Sequence, residues 1–424
     1  MSVTTSHITA SDVPDLIKPG MTVFVQGSIG QPLRLMKALQ EASASLGGIH
    51  YISPLTPGIN KFPISPGTQE SRLTTFFDYP DLRQSYQAGP IEFVPAHYSR
   101  IIPFLEQKVT IDIGLIQVSA PDAQGYCSTG ISEDFVSEIL PQCHTVIAEI
   151  NHSMPPVVDG PRIPLGAFHY VVETDYPLPQ IPSPDSNAVL DRIAANVLPL
   201  VHDGDTVQYG IGRVPQCIVS GLSEHNDLGL HSGLITPAVR SLIDKGVMTG
   251  VRKTIDTGRH VTGVAAGDQD FYDWISSRPD FSFRSVRHTH NPDTLARLDK
   301  LVAINSALEI DLFGQANAEM IGGRQISGSG GLVDFVRGAR LSRNGRAVIC
   351  LQSTSRNGQR SNIVLNLSGP VTICRTDMQY VVTEHGVADL AHKSIDERAH
   401  SLIAIAAPKF REQLSEDWKA GRKP

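Results

Sequence analysis

Asp203-Gly204-Asp205-Thr206-Val207-Gln208-Tyr209 runs into Gly210-Ile211-Gly212-Arg213-Val214-Pro215, and far upstream Pro19-Gly20-Met21-Thr22-Val23-Phe24-Val25-Gln26-Gly27 runs into Ser28-Ile29-Gly30-Gln31-Pro32. Each stretch reads as a turn, a short apolar strand, a glycine-rich loop and a proline that opens a helix. Proline is tolerated at a first helical position because its missing N–H would be unpaired there anyway. Leu35, Met36 and Leu39 then give one helix an apolar stripe, and Ile218, Val219 and Leu222 do the same for the other. The chain therefore carries one plan twice.

A second pair of stretches extends the duplication. Ile113–Val118 precedes the turn residues Pro121-Asp122-Ala123-Gln124-Gly125, and Leu301–Asn305 precedes Asp311-Leu312-Phe313-Gly314-Gln315. Strands alternating with helices predict two similar open α/β domains with largely parallel sheets. The proline-rich run Pro177–Pro184 is the expected linker, giving domains at 1–182 and 183–424. Phe410, Leu414 and Trp418, four residues apart, predict a C-terminal helix.

With 424 residues, two domains are the natural expectation. Hydrophobic content of 41% and charged content of 19% describe a globular chain. The net charge of -7, with no Lys/Arg cluster, argues against a nucleic-acid partner. No apolar run spans a bilayer, and Met1–Thr5 lacks the basic and apolar regions of a secretion signal. Five scattered cysteines with no CxxC suit a reduced, cytoplasmic compartment and no structural zinc.

The glycine loops have two readings. They are turns alone, or they bring backbone N–H groups at a helix start up to an anionic or thioester oxygen. A dinucleotide fingerprint would need a third glycine where Pro215 stands, and no GxxxxGK[ST] or GxSxG occurs. His288-Thr289-His290 invites a metal reading, but no Cys or carboxylate pattern accompanies it, so hydrogen bonding is the default and no metal is expected. Arg213 has the paired donors suited to a phosphate or carboxylate.

Three motifs carry a resemblance to a known family. These are the GIG stretch, Ser327-Gly328-Ser329-Gly330-Gly331-Leu332-Val333-Asp334-Phe335, and Val381-Val382-Thr383-Glu384-His385-Gly386. Together with Leu228-Gly229-Leu230-His231-Ser232-Gly233-Leu234 they resemble the acetyl-CoA hydrolase/transferase and 4-hydroxybutyrate CoA-transferase family, from about residue 10 to about 415. The resemblance implies an enzyme that transfers CoA between carboxylic acids, with acyl-CoA hydrolysis or a non-catalytic CoA-ester-binding homologue as alternatives. It implies that Gly210, Ile211, Gly212, Arg213, Val214, Leu308, Gly330 and Gly331 line the coenzyme A site. It further implies an acyl-CoA and a carboxylic acid as partners, and a homodimer or homotetramer.

In that family the segment aligned with 228–234 reads roughly Leu-Gly-Ile-His-Thr-Glu-Met, and its glutamate is the covalent acyl carrier. Gly233 stands at that position and has no side chain to offer. Three other carboxylates are candidate substitutes: Glu309 beside Leu308, Glu70 in the first domain, and Glu384 in the VTE segment. Asn291 matches an active-site asparagine of related succinyl-CoA:acetate transferases and reads equally as a turn residue before Pro292.

Overall fold

The computed structural model describes residues 5–182, 186–355 and 357–421. Met1–Thr4 of the N-terminal stretch and Ser183–Pro184 of the proline-rich run lie outside the described residues. The chain divides into two compact units, 1–182 with 261–289 and 183–260 with 290–424.

In the first unit eight strands form one sheet, in the order Ser6–His7, Tyr170–Thr174, Cys143–Asn151, Ile111–Val118, Thr22–Val25, His50–Ser53, Arg72–Thr75 and Ile91–Phe93. Every neighbouring pair in it is parallel. Strands this apolar need both faces covered. Leu35, Met36 and Leu39 of the Leu33–Glu41 helix cover one face and are essentially fully buried, each stabilising by about 1.5–3 kcal/mol.

The segment 261–289 groups with this unit through backbone hydrogen bonds. Glu133 N donates to Gly263 O, Ala265 N to Ile131 O and Val286 N to Asp134 O. The sequence boundary at 182/183 places this segment in the second domain instead, since its own hydrophobic pattern does not report which distant backbone it will bond.

In the second unit, Gly229–Ile235, Thr206–Tyr209, Leu301–Ser306, Arg346–Cys350, Tyr380–Thr383 and Gly386–Asp389 are successive neighbours. All pairs are parallel except the last. The repeated stretches occupy equivalent places. Thr22–Val25 lies between His50–Ser53 and Ile111–Val118, just as Thr206–Tyr209 lies between Gly229–Ile235 and Leu301–Ser306. The C-terminal helix spans Pro408–Gly421, burying Leu414 and Trp418. Pro32 immediately precedes its helix, but Pro215 is the third residue of the Arg213–Ser220 helix, where it still removes no intrahelical hydrogen bond.

The two copies of the glycine loop differ in one respect that matters. In the first unit residues 27–32 are all buried. Asn60 Oδ1 accepts from Ser28 N at 2.7 Å, and Gln31 Nε2 donates to Lys61 O at 2.9 Å, so the loop is closed by its own protein. In the second unit the loop is open, with Ile211 57% exposed.

Candidate active site at the carboxyl edge of the second unit

Strand register sets the site. Thr206 pairs with Gly229 and Val207 with Leu230, so Gly210 is level with Gly233. Tyr209 pairs with Ile304, and Ser306 with Cys350. The ends of four parallel strands thus converge where ligands of open α/β sheets bind. Gly210 is needed there for space: a Cβ would meet Asn305 Oδ1 at 2.6 Å. Asn305 is itself fixed by donating to Gln208 Oε1 at 2.8 Å.

Gly212 has φ +152°, a conformation that L side chains rarely adopt, and it opens the Arg213–Ser220 helix with no side-chain cap. The first N–H groups of a helix carry partial positive charge and favour an anion. Gly212, Arg213 and Val214 line an open cleft of about 1470 Å³ together with Ser306, Leu308 and Gln352. That space exceeds an ordinary small-ligand pocket and suits a long ligand. Arg360 also lines it. Ser306, Gln352 and Arg360 carry no signal in the sequence, because they fall in no motif and reach the cleft from the end of Leu301–Ser306 and from the stretch that follows Arg346–Cys350.

Behind the strand end, Gly233 and Gly331 face one side chain. A Cβ at Gly233 would lie 2.4 Å from His290 Cε1 and 2.7 Å from Nε2. A Cβ at Gly331 would lie 2.5 Å from His290 Cδ2 and Nε2. The ring is buried beside Phe335, with centroids 4.8 Å apart at 56°. Burial disfavours its charged form and pushes its pKa down to about 3. Gly330, at φ +50°, makes the turn that brings Gly331 to the start of the Leu332–Leu341 helix.

The other sequence candidates sit as follows. Asn291 caps the Pro292–Ala296 helix, its Oδ1 accepting from Asp293 N at 2.8 Å, which is the turn-residue reading. Glu309 accepts from Ser368 N at 2.7 Å and Glu384 from Ser353 N at 2.9 Å, so both hold loops. Glu70 is exposed in the first unit, just before the Arg72–Thr75 strand and so at the amino edge of that sheet, in a shallow depression with His50 and Arg72. The structure therefore brings Gly212, Arg213, Val214 and Leu308 together around the cleft, and Gly233 and Gly331 together around His290.

Residues 4–182 match the acetyl-CoA hydrolase/transferase N-terminal domain and residues 267–418 the C-terminal domain of the same family. The chain is 34% identical to 4-hydroxybutyrate coenzyme A transferase of Clostridium kluyveri over 415 residues, covering 97% of each. It is 32% identical to the succinyl-CoA:acetate/propanoyl-CoA:succinate CoA transferase of Fasciola hepatica, over 94% of this chain and 84% of that one. Among solved structures, RipA from Yersinia pestis superposes with a TM-score of 0.90 at 30% identity, covering 98% of this chain and 97% of the other. The fold and site define an enzyme of the CoA-transferase class. The chain belongs to the acetyl-CoA hydrolase/transferase family.

Proposed function

We propose that the protein transfers CoA between carboxylic acids by a route in which the acceptor acid, and not an enzyme carboxylate, carries the acyl exchange. The CoA moiety would lie in the cleft with Arg213 and the uncapped helix start facing its phosphates, and Leu308 and the Gly330-Gly331 turn toward its thioester. The observation that carries the reading is that open cleft at the carboxyl edge, lined by Gly212, Arg213, Val214 and Leu308. Relatives named for CoA transfer support it.

Gly233 has no carboxylate, so the balance of the reaction has to close between substrates. The acceptor carboxylate attacks the acyl-CoA carbonyl and the C–S bond breaks. CoA thiolate and a mixed anhydride of the two acids result. The thiolate then attacks the acceptor's acyl carbon, the anhydride C–O bond breaks, and the donor acid leaves as its carboxylate. Holding both acids at once is the contribution of positioning, and backbone N–H groups would stabilise each oxyanion. The enzyme would work in the cytoplasm as a homodimer or homotetramer. Among the described residues no helix is long and apolar enough to cross a membrane.

Initial rates at varied acyl-CoA and acid concentrations test this. Intersecting double-reciprocal lines are expected, with no CoA-sized mass on acid-quenched enzyme. Parallel lines with an adduct released by hydroxylamine would refute it. Gly233 also favours a second reading, hydrolysis, in which water takes the acceptor's place and free CoA accumulates. Thiol release without any added acid, at a rate matching transfer, would select that reading.

A further inference from the structure

We infer that His290 decides the identity of residue 233, and with it the reaction: its imidazole fills the volume a side chain at 233 would enter and keeps a carboxylate carrier out. This rests on the reading above that thioester chemistry takes place at this strand end.

Backbone conformation does not explain these glycines. Gly233 lies within the Gly229–Ile235 strand and is not among the positive-φ residues. Gly331 has φ −84° and ψ 0°, which other residues adopt readily. Space explains both. One ring approaches two virtual Cβ positions, on segments far apart in sequence, at 2.4–2.7 Å, closer than real Cβ contacts come.

The ring has little room to yield. Phe335 packs beside it, and the backbone at the next residue is committed to capping the Pro292–Ala296 helix. A close-packed interior transmits such a displacement instead of absorbing it. Burial also disfavours the imidazolium, so the ring packs at 290 as a neutral group. Positions 233 and 290 therefore form a mutually exclusive pair. Either a carboxylate side chain projects from the strand or an imidazole occupies the gap.

The test uses the full-length protein with Gly233→Glu, His290→Ala, and both together. Each is incubated with acyl-CoA, acid-quenched and weighed by intact mass spectrometry. The double variant is expected to acquire a hydroxylamine-sensitive CoA adduct. Gly233→Glu alone should show at least about tenfold less, and His290→Ala alone none. Equal adduct in Gly233→Glu and the double variant would overturn the inference. So would a double variant that binds CoA like the wild type and forms no adduct.

Should Gly233→Glu fail to fold, Gly233→Ala with and without His290→Ala gives a thermal-denaturation cycle. Removing the ring should restore most of the Tm lost to the added methyl, and strictly additive Tm changes would refute the pairing. Calorimetry with CoA separates the two failures. Loss of coupling with CoA binding intact sinks only this inference, whereas a wild-type protein that binds no CoA sinks the functional reading.

Discussion

Acidification should destabilise this protein through His290, and by an amount that can be worked out. The ring's pKa is depressed from 6.5 to about 3 in the folded state. A depressed value means that the unfolded chain binds the proton more readily than the native one. The stability His290 contributes is thus present above 6.5 and lost as pH falls from there toward 3. At pH 5 the unfolded imidazole is almost wholly protonated and the buried one is not. The difference between pH 7 and pH 5 is then about 2 kcal/mol for this one group.

Urea denaturation of wild type and His290→Asn at the two pH values isolates the effect, because the remaining histidines titrate alike in both proteins. The variant should lose about 2 kcal/mol less on acidification than the wild type. Spectra of protein labelled with ¹⁵N-histidine give a direct check, since the ring missing from the variant should keep neutral-imidazole shifts at pH 5. The same acid sensitivity in both proteins, or imidazolium shifts at pH 5, would refute the argument that the ring is buried without charge.

Three further outcomes follow from the geometry. Gly212→Ala forces a side chain into φ +152°, a strain of about 1–3 kcal/mol at the helix start, so CoA affinity by calorimetry should fall while far-ultraviolet dichroism stays unchanged. Arg213→Ala removes an exposed guanidinium beside the cleft, so stability should change by less than about 0.5 kcal/mol while CoA binding weakens roughly tenfold. Asp134 is held at about 7 by burial, although the Tyr98 hydroxyl donates to it. A raised carboxyl stabilises the native state below its usual value and loses that contribution as pH rises through 7. Asp134→Asn should therefore gain about 2–3 kcal/mol on the wild type between pH 5 and pH 8, measured by urea denaturation.

Much of this protein is legible in its sequence, because local rules and tertiary fate agree there. Thr22–Val25 and Thr206–Tyr209 are apolar runs closed by glycines, and a strand followed by a tight turn is the one economical solution for such a run. The stripes at Leu35, Met36, Leu39 and at Leu414, Trp418 obey a helical period and are buried accordingly. The GIG and SGSGG segments declare their family because their glycines answer to backbone needs that are fixed locally, φ +152° at Gly212 and φ +50° at Gly330.

Sequence alone could not say which glycine loop stays open, since Asn60 and Lys61 close the first copy from outside its own motif. Nor could it assign 261–289 to the first unit, a matter of hydrogen bonds to residues 131–134. His290 is the clearest case. In the chain it is the last residue of His288-Thr289-His290, which reads by default as a hydrogen-bonding stretch, and Gly233 and Gly331 belong to different motifs. Only close packing, which acts between residues distant along the chain, puts one imidazole against both glycines and makes their missing side chains a single fact.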